Sequence, residues 1–274
     1  MVRDLLLVCA TASEMRAVVA LLPGGPQCDL SVFEQGAPLA VCRDTSFALP
    51  RLCLPGGALA LLVCGVGPVA SVLSLALAVE RERLGVPGPS GTFGGVLNMG
   101  IAGSYDFDAA PVGSVVLVDW ECFPEYGAWP EYDESLDSVD DAPESIGQPQ
   151  PLRFAQAILP TGPVFSRLDL DAHNTLGKLG LNCDTSWRTG GGATLSGVSG
   201  TRRRADRMQA LTGALIENME GFALSLGGAT LGLPFVEVRS VSNQAGCRPP
   251  HTWNIDEATR ALSLAAQDMF APLL

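Results

Sequence analysis

Short, unbroken apolar runs alternate along this chain with longer apolar stretches of helical length, and small or polar residues close each of them. Leu5 to Ala10 has the density of a strand buried on both faces, and Thr11-Ala12-Ser13-Glu14 opens a helix that the pattern carries to about Leu22. Residues 30–50 predict antiparallel strands or hairpins. Leu52 to Val79 carries no charge over 28 residues, enough to cross a bilayer. Its interior argues otherwise: Pro55-Gly56-Gly57 and Gly65-Val66-Gly67-Pro68 leave a strand from Ala58 to Cys64 and a helix from Val69 to Glu80.

The same grammar continues. Gly95 to Asn98 predicts a short strand leading into a loop, Met99-Gly100-Ile101-Ala102-Gly103-Ser104, and Ser114 to Asp119 another strand. Helix follows at Asp171 to Leu179, strand at Thr194 to Ser199, and helix at Arg202 to Leu211. Ala214-Leu215-Ile216 reads as the end of a strand, after which Glu217-Asn218-Met219-Glu220-Gly221 turns into an apolar helix. Phe235 to Val241 predicts a strand and Ile255 to Met269 the last helix. Mixed strands with interspersed helices predict an α/β protein, a three-layer α/β/α sandwich with a central mixed sheet, as one domain over residues 1–274. Residues 133–151, acidic and containing Pro and Ser, read as a surface loop.

Composition sharpens this picture. A chain of 274 residues, 47% of them hydrophobic, can bury a substantial core. Its net charge is −12, and between Leu84 and Leu152 there are twelve acids and no Lys or Arg, which argues against a nucleic-acid or anionic-membrane partner. Arg202-Arg203-Arg204, beside Asp206, reads as a solvated helix face. Eight cysteines without a CxxC pair read as reduced thiols of a cytoplasmic protein, and no signal peptide is expected. With two histidines and no Cys/His spacing, neither a metal nor a cofactor is expected.

Several motifs have bland explanations taken singly. Gly65-Val66-Gly67-Pro68-Val69-Ala70 matches a G-x-G-x-x-A dinucleotide fingerprint, but it lies on the second strand-helix unit, and a tight turn with Pro68 in the first helical turn accounts for it. Thr11 and Glu14 form a capping box. Glu217 reads as an acid decorating the first turn of a helix; Glu220, among Met219, Gly221 and Phe222, is balanced between that role and a ligand site. Together, however, Glu14, the Gly100 loop, Glu220 and Asn243 each fall at the end of a predicted strand, where open α/β sheets form ligand crevices.

On these stretches, with Pro111-Val112-Gly113-Ser114-Val115-Val116 and Arg239-Ser240-Val241-Ser242-Asn243, the chain resembles the nucleoside phosphorylase and nucleosidase superfamily. Glu-Asn-Met-Glu-Gly with Arg-Ser-Val-Ser-Asn, followed by Arg248 and Trp253, looks most like its futalosine-cleaving branch, which serves menaquinone biosynthesis. The resemblance implies that Glu14 orients and deprotonates a water, that Glu220 binds the ribose hydroxyls and that Met219 packs under the sugar. It places Gly100 and Ile101 near ribose and water, Ser199, Gly200 and Thr201 around the base, and Asn243, with Ser242 beside it, on the purine. Where phosphorolytic relatives build a phosphate cradle, Glu14 would repel phosphate, which favours hydrolysis. Adenine-cleaving relatives carry an aspartic acid in place of Asn243; an amide suits a 6-oxopurine and therefore hypoxanthine as leaving group. The implied partners are a purine nucleoside and a second copy of the chain, in a homo-oligomer such as a dimer. The alternatives are another purine nucleosidase, acting on methylthioadenosine/S-adenosylhomocysteine or aminodeoxyfutalosine, and a non-catalytic nucleoside-binding protein of this fold.

Overall fold

The computed structural model describes residues 4–34, 49–85, 93–125, 167–247, 249 and 252–274. In chain order the elements are β1 (Leu5–Cys9), α1 (Ala12–Val19), α2 (Ser31–Glu34), β2 (Arg51–Leu54), β3 (Gly57–Val63), α3 (Pro68–Gly85), β4 (Gly95–Ser104) and β5 (Val115–Cys122). They continue with β6 (Arg167–Asp169), α4 (Ala172–Leu179), β7 (Arg188–Thr194), α5 (Arg202–Thr212), β8 (Ile216–Asn218), α6 (Gly221–Leu231), β9 (Phe235–Gln244) and α7 (Ile255–Phe270).

Every residue of β1 is buried, because helices cover both of its faces. Leu5, Leu7 and Cys9 pack with Met15 and Val18 of α1, Leu176 of α4 and Leu262 of α7. Leu6 and Val8 pack on the other side with Leu75 and Val79 of α3 and Leu224 of α6. Successive side chains of a strand point to opposite faces, so this division makes the sheet the middle of three layers, as expected. It is mixed: β1 runs parallel to β3 and β4, whereas β2 is antiparallel to β3.

Part of the sheet closes on itself. β4 pairs β8, β8 pairs β7, β7 pairs β5, β5 pairs β9, and β9 returns to β4. Glycines in β7 permit this closure. A Cβ on Gly191 would lie 1.9 Å from the Trp120 ring, and one on Gly192 would lie 2.0 Å from Glu121 Oε1.

Several predicted boundaries move for identifiable reasons. The predicted loop 99–104 is the second half of β4, because β9 and β8 claim its backbone hydrogen bonds. The strand expected at 194–199 is instead β7, ending at Thr194; its Arg-Thr-Gly-Gly-Gly start has no apolar period to read. β8 includes Glu217, which is buried within the strand and decorates no helix turn. Asn243 lies within β9, which runs to Gln244, and β5 runs on to Cys122. Residues 31–34 are helical where strand was expected; the remainder of 35–48 and the acidic loop 133–151 lie outside the described residues. Among the described residues no helix is long and apolar enough to cross a membrane.

Candidate active site

The carboxylate of Glu14 is positioned by the cap it helps to form. Thr11 is the N-cap of α1: its hydroxyl accepts from Glu14 N at 3.2 Å, and Glu14 Oε2 accepts from Thr11 N and Oγ1 at 3.0 and 2.9 Å. A cap alone would leave the other oxygen in water. Here Oε1 accepts from Ile101 N on β4 at 3.0 Å, and the residue is 7% exposed. Burial pushes the Glu14 carboxyl above its ordinary range, the Ile101 N–H and Arg239 oppose this, and Glu220 adds to it.

Glu220 occupies the N-cap position of α6 but does not cap it. Asn218 Oδ1 takes that task, accepting from Glu220 N and Gly221 N at 3.0 and 2.8 Å, while Thr194 Oγ1 accepts from Phe222 N at 2.7 Å. The Glu220 carboxylate is thereby released towards the turn after β3 and towards β9. Its Oε1 accepts from Gly67 N at 3.1 Å and its Oε2 from Arg239 Nη1 at 3.3 Å. The Gly65–Gly67 turn, with both glycines at positive φ, therefore offers its N–H to a carboxylate of the protein.

Arg239, 1% exposed on β9, joins these groups. Its Nε donates to Glu237 Oε1 at 2.7 Å and its Nη1 also reaches Ile101 O at 3.4 Å. Gly100 lies between Arg239 and Glu14: a Cβ there would stand 2.6 Å from Arg239 Nη1 and 2.9 Å from Glu14 Oε1. No other residue type leaves room for both groups at this point of β4.

A second group lies farther along β4, around Gly103. Glu217 Oε1 accepts from Ser199 N at 3.0 Å. Asn243 accepts from Ser242 Oγ at 2.8 Å and donates from Nδ2 to Gln244 O at 2.9 Å, which leaves its amide one further N–H and acceptor capacity. A Cβ on Gly103 would touch Glu217 Cγ at 3.2 Å and Asn243 Nδ2 at 3.5 Å. Gly200 and Thr201 line an open cavity of about 540 Å³ with Val198 and Arg204. Ser199 is buried, and Met219 is half-buried next to Glu220.

The structure thus brings Glu14, Gly100, Ile101 and Glu220 to one centre, and Ser199, Ser242 and Asn243 to a second group beside it. Sequence reasoning missed Arg239 as a member, together with Glu237, Glu121, Asn218, Thr194 and Glu217. One signal was present: Glu237 and Arg239 stand two apart in a Val-rich strand and so share a face. Among the described residues no cluster of three potential metal ligands occurs.

The chain belongs to the Phosphorylase superfamily, whose family model matches residues 4–274. The chain is 33% identical over 217 residues to the futalosine hydrolase of Streptomyces coelicolor, covering 78% of this chain and 79% of that protein. It is 29% identical over 218 residues to the futalosine hydrolase of Thermus thermophilus, covering 80% and 84%. Among solved structures, a 5′-methylthioadenosine/S-adenosylhomocysteine nucleosidase from S. pneumoniae superposes with a TM-score of 0.64 at 18% identity, over 98% of each chain. The futalosine hydrolase of Helicobacter pylori gives 0.59 at 14% identity over 100% of this chain and 97% of that one. At these identities the structures bear on the fold alone.

Proposed function

We propose that this protein hydrolyses the N-glycosidic bond of futalosine, releasing hypoxanthine, as a step of menaquinone biosynthesis. The observation that carries the reading is Glu14, a buried carboxylate whose proton affinity is raised by burial and which stands at the same glycine as Arg239. Such a group is fitted to take a proton from water near neutral pH. As the glycosidic bond breaks, the sugar gains oxocarbenium character, and Glu220, held against the ribose hydroxyls, offsets the developing positive charge. Gly100 and Ile101 border ribose and water, Met219 packs under the sugar, and Ser199, Gly200, Thr201 and Ser242 surround the base. The Glu14 carboxylate in the first turn of α1, directly after β1, disfavours phosphate there, so hydrolysis rather than phosphorolysis follows. Release of hypoxanthine from futalosine, measured with and without phosphate, tests this: equal rates are expected. Dependence on phosphate, or binding without turnover, overturns it.

Asn243 is the residue on which the choice of base rests. Asn243→Asp replaces an amide by a group usually ionised near neutral pH, set against Gln244 O and a 6-oxo group. A mismatch of about 1–3 kcal/mol corresponds to a roughly tenfold to hundredfold fall in kcat/KM for futalosine. Activity on the 6-amino analogue should hold or rise, since its exocyclic amine can donate to the carboxylate. The ratio of the two kcat/KM values is the measurement; a ratio unmoved by the substitution removes Asn243 from base recognition.

A homo-oligomer belongs to the same reading. Val66, Val69 and Leu73, at the Gly67 turn and on the first turns of α3, are 56%, 75% and 47% exposed, an apolar strip beside the centre that a second copy would cover. Sedimentation equilibrium should return twice the chain mass or a multiple of it; a monomer at micromolar concentration refutes this part. The seven described cysteines are all free, in keeping with action in the cytoplasm.

A further inference from the structure

The interior of the strand ring holds more carboxylates than cations. Glu121 on β5 and Glu237 on β9 are fully buried. Both converge on Gly221, where a Cβ would lie 2.3 Å from Glu121 Oε1 and 2.6 and 2.5 Å from Glu237 Oε1 and Oε2. Gly192 makes room for the Glu121 carboxyl from β7. Glu121 receives the Thr194 hydroxyl at 2.9 Å and an N–H of the Asn218 amide. Arg239 divides itself between Glu237 Oε1 and Glu220 Oε2, which leaves Glu237 Oε2 with no hydrogen bond from another residue. Two ionised carboxylates do not share so small and dry a space.

We propose that Glu121 and Glu237 share one proton, and that Glu121 is thereby a neutral positioning residue for Glu220, acting through Asn218 and Arg239. The proton of Glu121 supplies the donor that Glu237 Oε2 lacks. Burial and repulsion from Glu237 both favour the protonated form of Glu121, whereas Arg239 draws Glu237 towards ionisation against its own burial, so the proton belongs to Glu121. Two consequences reach Glu220. Arg239 meets one negative charge at Glu237 instead of two and stays available to Glu220. Asn218, with its NH₂ fixed on Glu121, keeps Oδ1 turned to Glu220 N and Gly221 N and so fixes the start of α6.

The groups facing the pair are Thr194 from β7, Asn218 from β8, Arg239 from β9, Glu220 from the start of α6, and Cys122 beside Glu121 with Arg167 of β6 beyond it. Glu14 and the thiols of Cys9 and Cys64 also lie within the field of Arg239. Burial holds all three thiols protonated, so Glu14 and the pair are the members of this set that release a proton as pH rises above the ordinary carboxylate range, and substitution of Glu121 separates the two because it leaves Glu14 in place.

The test follows Tm and kcat against pH in wild type, Glu121→Gln and Glu237→Gln. Proton affinity in the folded state exceeds that of the unfolded chain, so the pair's stabilisation is complete below the ordinary carboxylate range and disappears as pH rises through its folded titration. Wild-type Tm and kcat should therefore fall together as pH rises through this titration, above the ordinary carboxylate range. Glu121→Gln supplies an N–H that cannot be lost, and its fall should move up by about one pH unit or more, or vanish. Glu237→Gln takes the anion from Arg239 and should lose about tenfold or more in kcat at neutral pH, with a lower Tm. A fall unmoved in Glu121→Gln, no such fall in wild type, or two variants of equal behaviour overturns the proposal. So does a Glu121→Gln chain that does not fold, since the amide is the nearest neutral mimic of the acid. Only the kinetic arm rests on the reaction proposed above; the melts read the pair whatever the substrate.

Discussion

Glu14→Gln should lose turnover by about 10² to 10⁴, the usual contribution of a positioned base, while still binding the nucleoside. The amide must turn its NH₂ towards either Ile101 N–H or Thr11 N–H, both of which now donate to the carboxylate. That mismatch costs about 1 kcal/mol. Removing a buried charge acts in the opposite direction. The folded carboxyl binds its proton more tightly than the unfolded one, so ionisation weakens the fold as pH rises through the folded titration, and the amide is spared this. Tm should accordingly stay within about 4 °C of wild type at neutral pH. The same shift predicts that wild-type kcat/KM rises with pH through a midpoint above the ordinary carboxylate range, as the base form is populated. Single-turnover rates, nucleoside binding and melts on one preparation decide it: a folded Gln variant with near-wild-type turnover returns Glu14 to a helix cap.

Arg239→Met has its largest effect on stability. The guanidinium is the cation that Glu220 and Glu237 both touch, and all three side chains are buried. Removing one member of a buried ion pair typically costs about 3–5 kcal/mol, because the partner remains as an uncompensated charge. In a chain of this size that corresponds to a Tm lower by roughly 6–20 °C. The loss should be smaller at acidic pH, where Glu237, already pushed towards protonation by burial, becomes neutral. A variant melting within about 2 °C of wild type at neutral pH would mean that the fold does not depend on this charge.

Much of the layered architecture was legible because apolar runs report burial. β1, α4, α5 and α7 lie within a residue or two of their predicted spans. What escaped was structure whose cause is tertiary. Gly100 and Gly103 look like a loop until β9 and β8 supply partners for their backbone. β7 begins with a charged residue and three glycines, and its strand character comes from β5 and β8 on either side. The centre divides in the same way. Glu14 and Glu220 could be found from motifs, although the capping box at Thr11 offered a complete explanation that burial now shows to be partial. Glu121, Glu237 and Glu217 could not, since a single acid in an apolar strand carries no mark of the partner that tolerates it. Arg239 was visible only as one letter of a polar stretch.

The position of β9 between β4 and β5 has a consequence for how the protein is made. Arg239 reaches Ile101 across 138 residues of sequence, and the ring cannot close until this strand inserts. Pairings so distant in the chain are slow to form, because the entropy of closing the loop is lost before any contact repays it. A nascent chain that has not yet released Gln244 therefore holds β4 and β5 with open edges, exposed to wrong pairing. It also holds Glu14 and Glu220 without their cation. Insertion of β9 ends both conditions in one event, so the centre is completed together with the tertiary fold and has no earlier, half-assembled form that could act on substrate.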